Sequence, residues 1–282
     1  MPILSICAAL AWSRAQTPAP QKPAQTPATQ TSAAQAPTPP TSSNDERLTG
    51  KPPVSGGTPT ITDAAELSAP GWVELDPGVL KDLVGDPNVG FPATLKYTTR
   101  NNRLQYLLAT DSVVTQGSTT GFGDTYVGAH YLFKTQDKGG YDIALKGIIK
   151  IPTAPIDVGG TGKYDLSAFL LVSRDITKWG LHEDMNAGIS AIGNSPQAGY
   201  TGQALLSYST TTPFRGGRWQ YTNEVVYLSA LPDDGARVTT MHGFAYSAHV
   251  YEVYSAALQV RLEGDIPRFQ FLLAASFNVA KL

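Results

Sequence analysis

Tyr254-Ser255-Ala256-Ala257-Leu258-Gln259-Val260-Arg261-Leu262-Glu263 decides the fold. Tyr254, Ala256, Leu258, Val260 and Leu262 share one face, and Ser255, Ala257, Gln259, Arg261 and Glu263 share the other. This period of two is that of a β-strand with one apolar and one wet side. The last segment repeats it: Phe269, Phe271, Leu273, Ala275, Phe277 and Val279 alternate with Gln270, Leu272, Ala274, Ser276 and Asn278. A third sets Ile143, Leu145, Gly147, Ile149 and Ile151 against Asp142, Ala144, Lys146, Ile148 and Lys150. Lysines at every second or fourth position cannot face lipid, so the wet face must line an interior.

Working outward, such segments recur near 71–80, 92–100, 103–113, 122–134, 140–151, 162–173, 184–192, 200–212, 217–229, 238–249, 252–263 and 268–279. About twelve strands result, an even count suited to a closed bacterial barrel. Thr99-Arg100-Asn101-Asn102, Gln136-Asp137-Lys138-Gly139 and Phe214-Arg215-Gly216-Gly217 read as tight turns, whereas 113–122, 151–162 and 192–200 read as longer loops. That alternation fits a barrel with both termini periplasmic. It falters at 174–183, too long for a tight turn, and near 246–254, where one bent strand could replace two; ten or eleven strands stay open. Lipid cannot satisfy backbone amides, so a spanning sheet must close on itself. Tyr97, Tyr164, Tyr208, Tyr227, Tyr254 and Trp219 suit interfacial girdles, with ordinary sheet packing as the competing reading. A soluble lipocalin-like or sandwich fold would show similar alternation. Consecutive long strands and mid-strand Lys146, Lys150, Glu224, Arg261 and Glu263 on the wet face argue against it.

The remainder of the chain is exported leader and arm. Ile3 to Trp12 is apolar and is followed by Ser13-Arg14-Ala15, a signal-peptide pattern with a cut after Ala15. Cys7, the single cysteine, lies inside it, so the mature chain has no thiol chemistry; Leu4-Ser5-Ile6-Cys7 is a poor lipoprotein signal because Ile6 is bulky. Residues 16–62 are rich in Pro, Ala, Thr, Gln and Ser, with no aromatic residue between Trp12 and Trp72, and read as a disordered linker. A tether is the first reading of this arm, and a plug or cell-wall contact the second. The expected division is therefore signal 1–15, linker 16–62 and barrel 63–282. With 282 residues, 16% charged and a net charge of -2, nothing calls for a nucleic-acid partner. No run approaches the roughly 18 apolar residues of a membrane helix.

Three short segments carry a resemblance: Gly121-Phe122-Gly123-Asp124 with Tyr131, Lys150-Ile151-Pro152-Thr153, and Gly160-Thr161-Gly162-Lys163-Tyr164-Asp165. In order and spacing they resemble the outer-membrane transporter family named for the meta-pathway of phenol degradation. Pro92-Ala93-Thr94-Leu95-Lys96-Tyr97 followed by Asn102-Arg103-Leu104-Gln105 resembles that family's early hairpin, so the likeness spans roughly residues 70 to 282. It implies an outer-membrane barrel of a Gram-negative bacterium that passes hydrophobic or aromatic solutes. The implied partners are outer-membrane lipid, small solutes and the barrel-assembly machinery, with the cell wall within reach of the arm. The motif residues Gly121, Gly123, Asp124, Pro152, Thr153, Gly160, Gly162 and Asp165 come over with the resemblance. Lys146, Lys150, Asp165, Glu224, Arg261 and Glu263 are the candidates for lining the lumen, by their shared parity.

Other chemistry is weaker. Gly159-Gly160-Thr161-Gly162-Lys163 has Asp157 where a phosphate loop needs its first glycine and Tyr164 in place of Ser or Thr. Gly121-Phe122-Gly123 lacks the third glycine of a dinucleotide fingerprint. His130, His182, His242 and His249 show no metal-ligand spacing, and no cofactor is implied. Ser247 and His249 on one strand face could serve an outer-membrane lipid hydrolase, but no oxyanion donor or orienting acid accompanies them. A structural barrel without transport is the further alternative to a channel.

Overall fold

The computed structural model describes residues 54, 60–84, 88–116, 118–136, 140–156, 160–176, 178–193, 199–231, 235–263 and 269–282. The expected signal segment 1–15 and most of the linker lie outside them. Fifteen strands are present among the described residues: β1 (Trp72–Asp82), β2 (Val89–Gly90), β3 (Ala93–Thr98), β4 (Leu104–Thr110), β5 (Val113–Gln116), β6 (Thr119–Phe122), β7 (Thr125–Lys134), β8 (Asp142–Ile151), β9 (Asp165–Ile176), β10 (Leu181–Gly193), β11 (Tyr200–Phe214), β12 (Trp219–Leu228), β13 (Arg237–His249), β14 (Glu252–Glu263) and β15 (Phe269–Lys281). The short β2, β5 and β6 branch off beside β1, and the remaining twelve form one antiparallel meander. β1 pairs with β15 from Trp72↔Lys281 to Asp82↔Gln270, so the sheet closes and leaves no open edge in the hydrocarbon layer.

The alternation read from the sequence fixes the two faces. Tyr254, Leu258, Leu262, Phe271, Leu273, Leu145 and Ile149 all point outward and are exposed. Ser255, Gln259, Gln270, Ser276, Asn278, Lys146 and Lys150, one residue away along the same strands, are buried in the interior. Apolar side chains outside and a wet interior are the arrangement of an outer-membrane barrel, and they place the protein in the outer membrane of a Gram-negative bacterium.

Both doubtful regions resolve into tight turns. β9 and β10 pair from Ile176↔Leu181 onward. β13 and β14 pair up to His249↔Glu252, with an irregularity between Ser247 and His249, so two strands run where one bent strand could have. On the side of the termini the β3–β4, β11–β12 and β13–β14 turns are short; Asn102 takes φ 52 in the first, and Arg215, Gly216 and Gly217 take φ 50, 73 and 80 in the second. These left-handed conformations suit Gly and Asn. The sequence reading missed β2, β5 and β6, because segments of two to four residues are too short to show a period.

Aromatic side chains collect outside near the terminal ends of β11–β13, where Trp219 lies 4.9 Å from Tyr246 and Tyr221 lies 4.9 Å from Phe244 between ring centroids. Tyr208 departs from the girdle expectation: it sits mid-strand and donates to Glu183 at 2.7 Å. It belongs to an outward polar row in which Arg174, Glu183, Thr210, Asn223 and His242 are successive cross-strand neighbours. Mutual bonding offsets their exposure to lipid: Arg174 donates to Glu183 at 2.6 Å, and His242 Nδ1 meets Asn223 Oδ1 at 2.8 Å.

Candidate functional site

The lumen is where chemistry can occur, and on the side of the termini residues 61–66 of the arm enter it and bond to its wall. Glu224, on β12, accepts the backbone N–H and hydroxyl of Thr62 and, at 3.2 Å, the N–H of Ile61. The N–H of Asp63 donates to Asn186 Oδ1 at 2.8 Å, and Asn186 Nδ2 returns a bond to Asp63 O at 2.8 Å. Lys146 Nζ lies 2.7 Å from the Asp63 carboxylate. Ser173 accepts the Ala65 N–H at 2.7 Å, and His130 Nε2 lies 3.2 Å from Ala65 O. Below these bonds Ala65 joins Leu132, Ala144 and Leu171 in a small apolar cluster, with Leu67 and Phe169 against it. Gly188 makes room for that ring, since a Cβ there would come within 2.4 Å of Phe169. Thr62, expected on the linker side of the boundary, is thus bonded inside the barrel. Hydrogen bonds to charged groups contribute about 1.5–3 kcal/mol each, so Glu224 and Lys146 act as the anchors of this segment.

Toward the loop end the inward rows mix apolar and polar side chains: Val226 lies between Ser207 and Thr239, and Met241 stands level with Glu224. Leu80, Ile192, Leu205, Val226, Leu228 and Met241 are buried on the inward face. On β12 itself the inward row passes from Thr222 and Glu224 to Val226 and Leu228.

The three motifs, spread over residues 121–165, converge on Lys150 at the rim opposite the termini. Lys150 Nζ lies 2.7 Å from Asp165, 3.6 Å from Asp124 and 3.0 Å from the Thr161 hydroxyl. Asp165 also accepts the Gly193 N–H at 2.7 Å, and Asp124 accepts the Ala154 N–H at 2.9 Å. Thr153 donates to Gly123 O at 3.0 Å. Gly123 and Gly160 allow close passage, because a Cβ would meet Asp111 Cβ at 2.4 Å and Ala154 O at 2.2 Å respectively. Gly162 turns at φ 64. Gly121 pairs with Val114 in the side branch, and Pro152 directly follows β8. The motifs therefore pin loops against the rim, which explains their residue types without a bound phosphate.

Of the lumen candidates, Lys146, Lys150, Asp165 and Glu224 are buried on the inward face. Arg261 follows Gln259 on that face toward the loop end of β14, and Glu263 is exposed at the strand's last position. The structure does not bring Arg261 and Glu263 into the Lys150 cluster.

The histidines behave unevenly. Sequence spacing gave no metal site, yet His182, Asp184 and Glu66 place one ligand atom each within 4.8 Å of one another. No spacing rule could find this trio, since Glu66 comes from the arm and the others from β10. Burial pushes the Glu66 carboxyl up to about 7. The hydrolase pair fails geometrically: the irregularity between Ser247 and His249 breaks their shared facing, and His249 stacks on Tyr251 with centroids 5.2 Å apart.

Among solved structures, an outer membrane channel from Pseudomonas putida F1 matches with a TM-score of 0.59 at 10% identity, over 76% of this chain and 97% of that chain. CymD, a monoaromatic hydrocarbon channel, matches with a TM-score of 0.46 at 8% identity, over 75% of this chain and 89% of that chain. No curated protein sequence matches the chain. The sequence profile described as "Putative MetA-pathway of phenol degradation" covers residues 56–278, a span that takes in the bonded arm, the Lys150 cluster and nearly the whole barrel. The chain belongs to that family.

Proposed function

We propose that the protein is a channel for small hydrophobic or aromatic solutes across the outer membrane, closed at its periplasmic half by its own arm. The carrying observation is a partial apolar belt on the inward face, made of Leu80, Ile192, Leu205, Val226 and Leu228 and interleaved with Ser207 and Thr239. An interior that merely holds water has no use for such a belt, whereas a solute leaving water for an apolar wall gains roughly 25 cal/mol per Å² buried. The family's link to phenol degradation supports an aromatic solute, and the fold shared with the P. putida outer membrane channel supports a channel. Lys146, Lys150, Asp165, Glu224, Arg261 and Glu263 set the potential along the path in this reading. The leader 1–15, export, insertion by the host's barrel-assembly machinery and reach of residues upstream of the lumen toward the cell wall complete it.

In a Gram-negative host expressing the protein, uptake of a labelled monoaromatic compound should rise severalfold, while uptake of a hexose should not. Leu205→Asp combined with Val226→Asp should abolish the rise. An assembled wild-type barrel with uptake equal to the empty host sinks the transport reading and leaves a structural barrel.

The arm should limit ion flow. Deleting residues 16–67 behind the leader removes the bonds to Glu224, Lys146, Asn186 and Ser173, and single-channel conductance in planar bilayers should increase severalfold. Unchanged conductance in an inserted barrel would mean that current does not pass where the arm lies.

A further inference from the structure

We propose that Glu66, His182 and Asp184 form a site for a divalent transition-metal ion of the zinc class, which ties the arm to β10 in the periplasmic mouth. The three residues each aim one nitrogen or oxygen ligand atom into a space no more than 4.8 Å across. Around a metal with bonds of about 2.0–2.2 Å, ligand atoms stand roughly 3.4 Å apart, so the trio needs only small side-chain movements. His182 Nε2 and Asp184 Oδ1 are already 3.0 Å apart.

His182 and Asp184 are each held from behind by a further polar group. His182 Nδ1 faces Asp175 at 2.8 Å. Asp175 keeps the Nδ1 proton when Nε2, which now donates to Asp184 Oδ1, gives up its own proton to bind a metal, the usual support of a metal-bound imidazole. Asp184 is in turn held by the Ser173 hydroxyl at 2.6 Å and the Ser209 hydroxyl at 3.3 Å. Glu66 Oε2 is shut off from solvent and has no hydrogen-bond partner. A buried carboxylate oxygen without a partner is costly unless something occupies its lone pairs. Asp175 and Asp184 both contact the imidazole and Glu66 stands beside it, so three carboxylates face a single imidazole, and a dication relieves the imbalance. One nitrogen and two oxygens favour zinc-like ions over calcium, which takes six to eight oxygens. Three protein ligands leave a fourth position for water.

The site joins a segment of the arm to the wall, so its occupancy couples metal to arm position whether or not solute passes. The test uses the full-length protein folded in detergent and titrated with ZnCl2 and with CoCl2. Zn2+ should bind with one equivalent per chain by calorimetry, and Co2+ should give visible d–d bands of low coordination number. Glu66→Gln should weaken binding roughly tenfold or more, as should Asp184→Asn, whereas Glu183→Gln, on the outward face, should leave it unchanged. Zn2+ should also slow proteolysis of the arm in the wild type and not in Glu66→Gln. Should Asp184→Asn fail to assemble, as read by heat-modifiable gel migration, Glu66→Gln still decides, because Glu66 lies outside the barrel wall. Absence of stoichiometric binding, or binding that survives Glu66→Gln unchanged, overturns the site; in that case protons alone balance the cluster.

Discussion

Replacing Lys150 by Met should destabilise the folded barrel by about 3–5 kcal/mol, the usual cost of removing one partner from a buried ion pair. The side chains of Lys150, Asp124 and Asp165 are only 9%, 10% and 12% exposed, so solvent screens them poorly. Methionine keeps the volume but leaves two carboxylates facing each other at the rim. Asp165 at 2.7 Å is a closer partner than Asp124 at 3.6 Å. Lys150→Met with Asp165→Asn should therefore recover more of the loss than Lys150→Met with Asp124→Asn. Urea unfolding of barrels folded into lipid vesicles measures all of these. A loss under about 1 kcal/mol, the range of exposed pairs, would show that the cluster is hydrated in the membrane and does not hold the loops.

Leu258→Arg should impair assembly where Gln259→Arg does not. Leu258 points to lipid and is flanked by His242 on β13 and Phe271 on β15. Arginine on the lipid face near the bilayer midplane costs roughly 2–4 kcal/mol. Gln259 is buried on the inward face beside Met241 and Gln270, where an arginine can find water and polar partners. Folding yield into vesicles and heat-modifiable migration report the difference. Equal yields would mean that the β14 register is shifted by one residue, since such a slip exchanges every face.

The Lys150 cluster marks the reach of motif reading. Gly123, Asp124, Pro152, Thr153, Gly160, Gly162 and Asp165 could be picked out as a pattern, but their reason could not. Glycines that let Gly123 pass Asp111 and Gly160 pass Ala154 are chosen by contacts between loops, and only folding brings those loops together. Lys150 stood out by parity alone, as a lumen residue like Lys146. Their partners differ in kind: Lys150 is held by the neighbouring wall, whereas Lys146 is held by Asp63 of the arm.

Strand character and the two faces were determined by the sequence alone, because lipid on one side and an enclosed lumen on the other impose a period of two that each segment displays locally; the count of twelve in the closed sheet was decided by the pairing of β13 with β14. The position of residues 60–68 was decided only in the tertiary structure. The bonds that hold them come largely from the backbone N–H groups of Ile61, Thr62, Asp63 and Ala65, which every sequence possesses, and their partners Glu224, Asn186 and Ser173 are distant in the chain. The Glu66, His182 and Asp184 trio escaped the sequence for the same reason. Glu66 joins His182 and Asp184 only when the arm enters the barrel, and the distance that matters to a metal is measured through space and not along the chain.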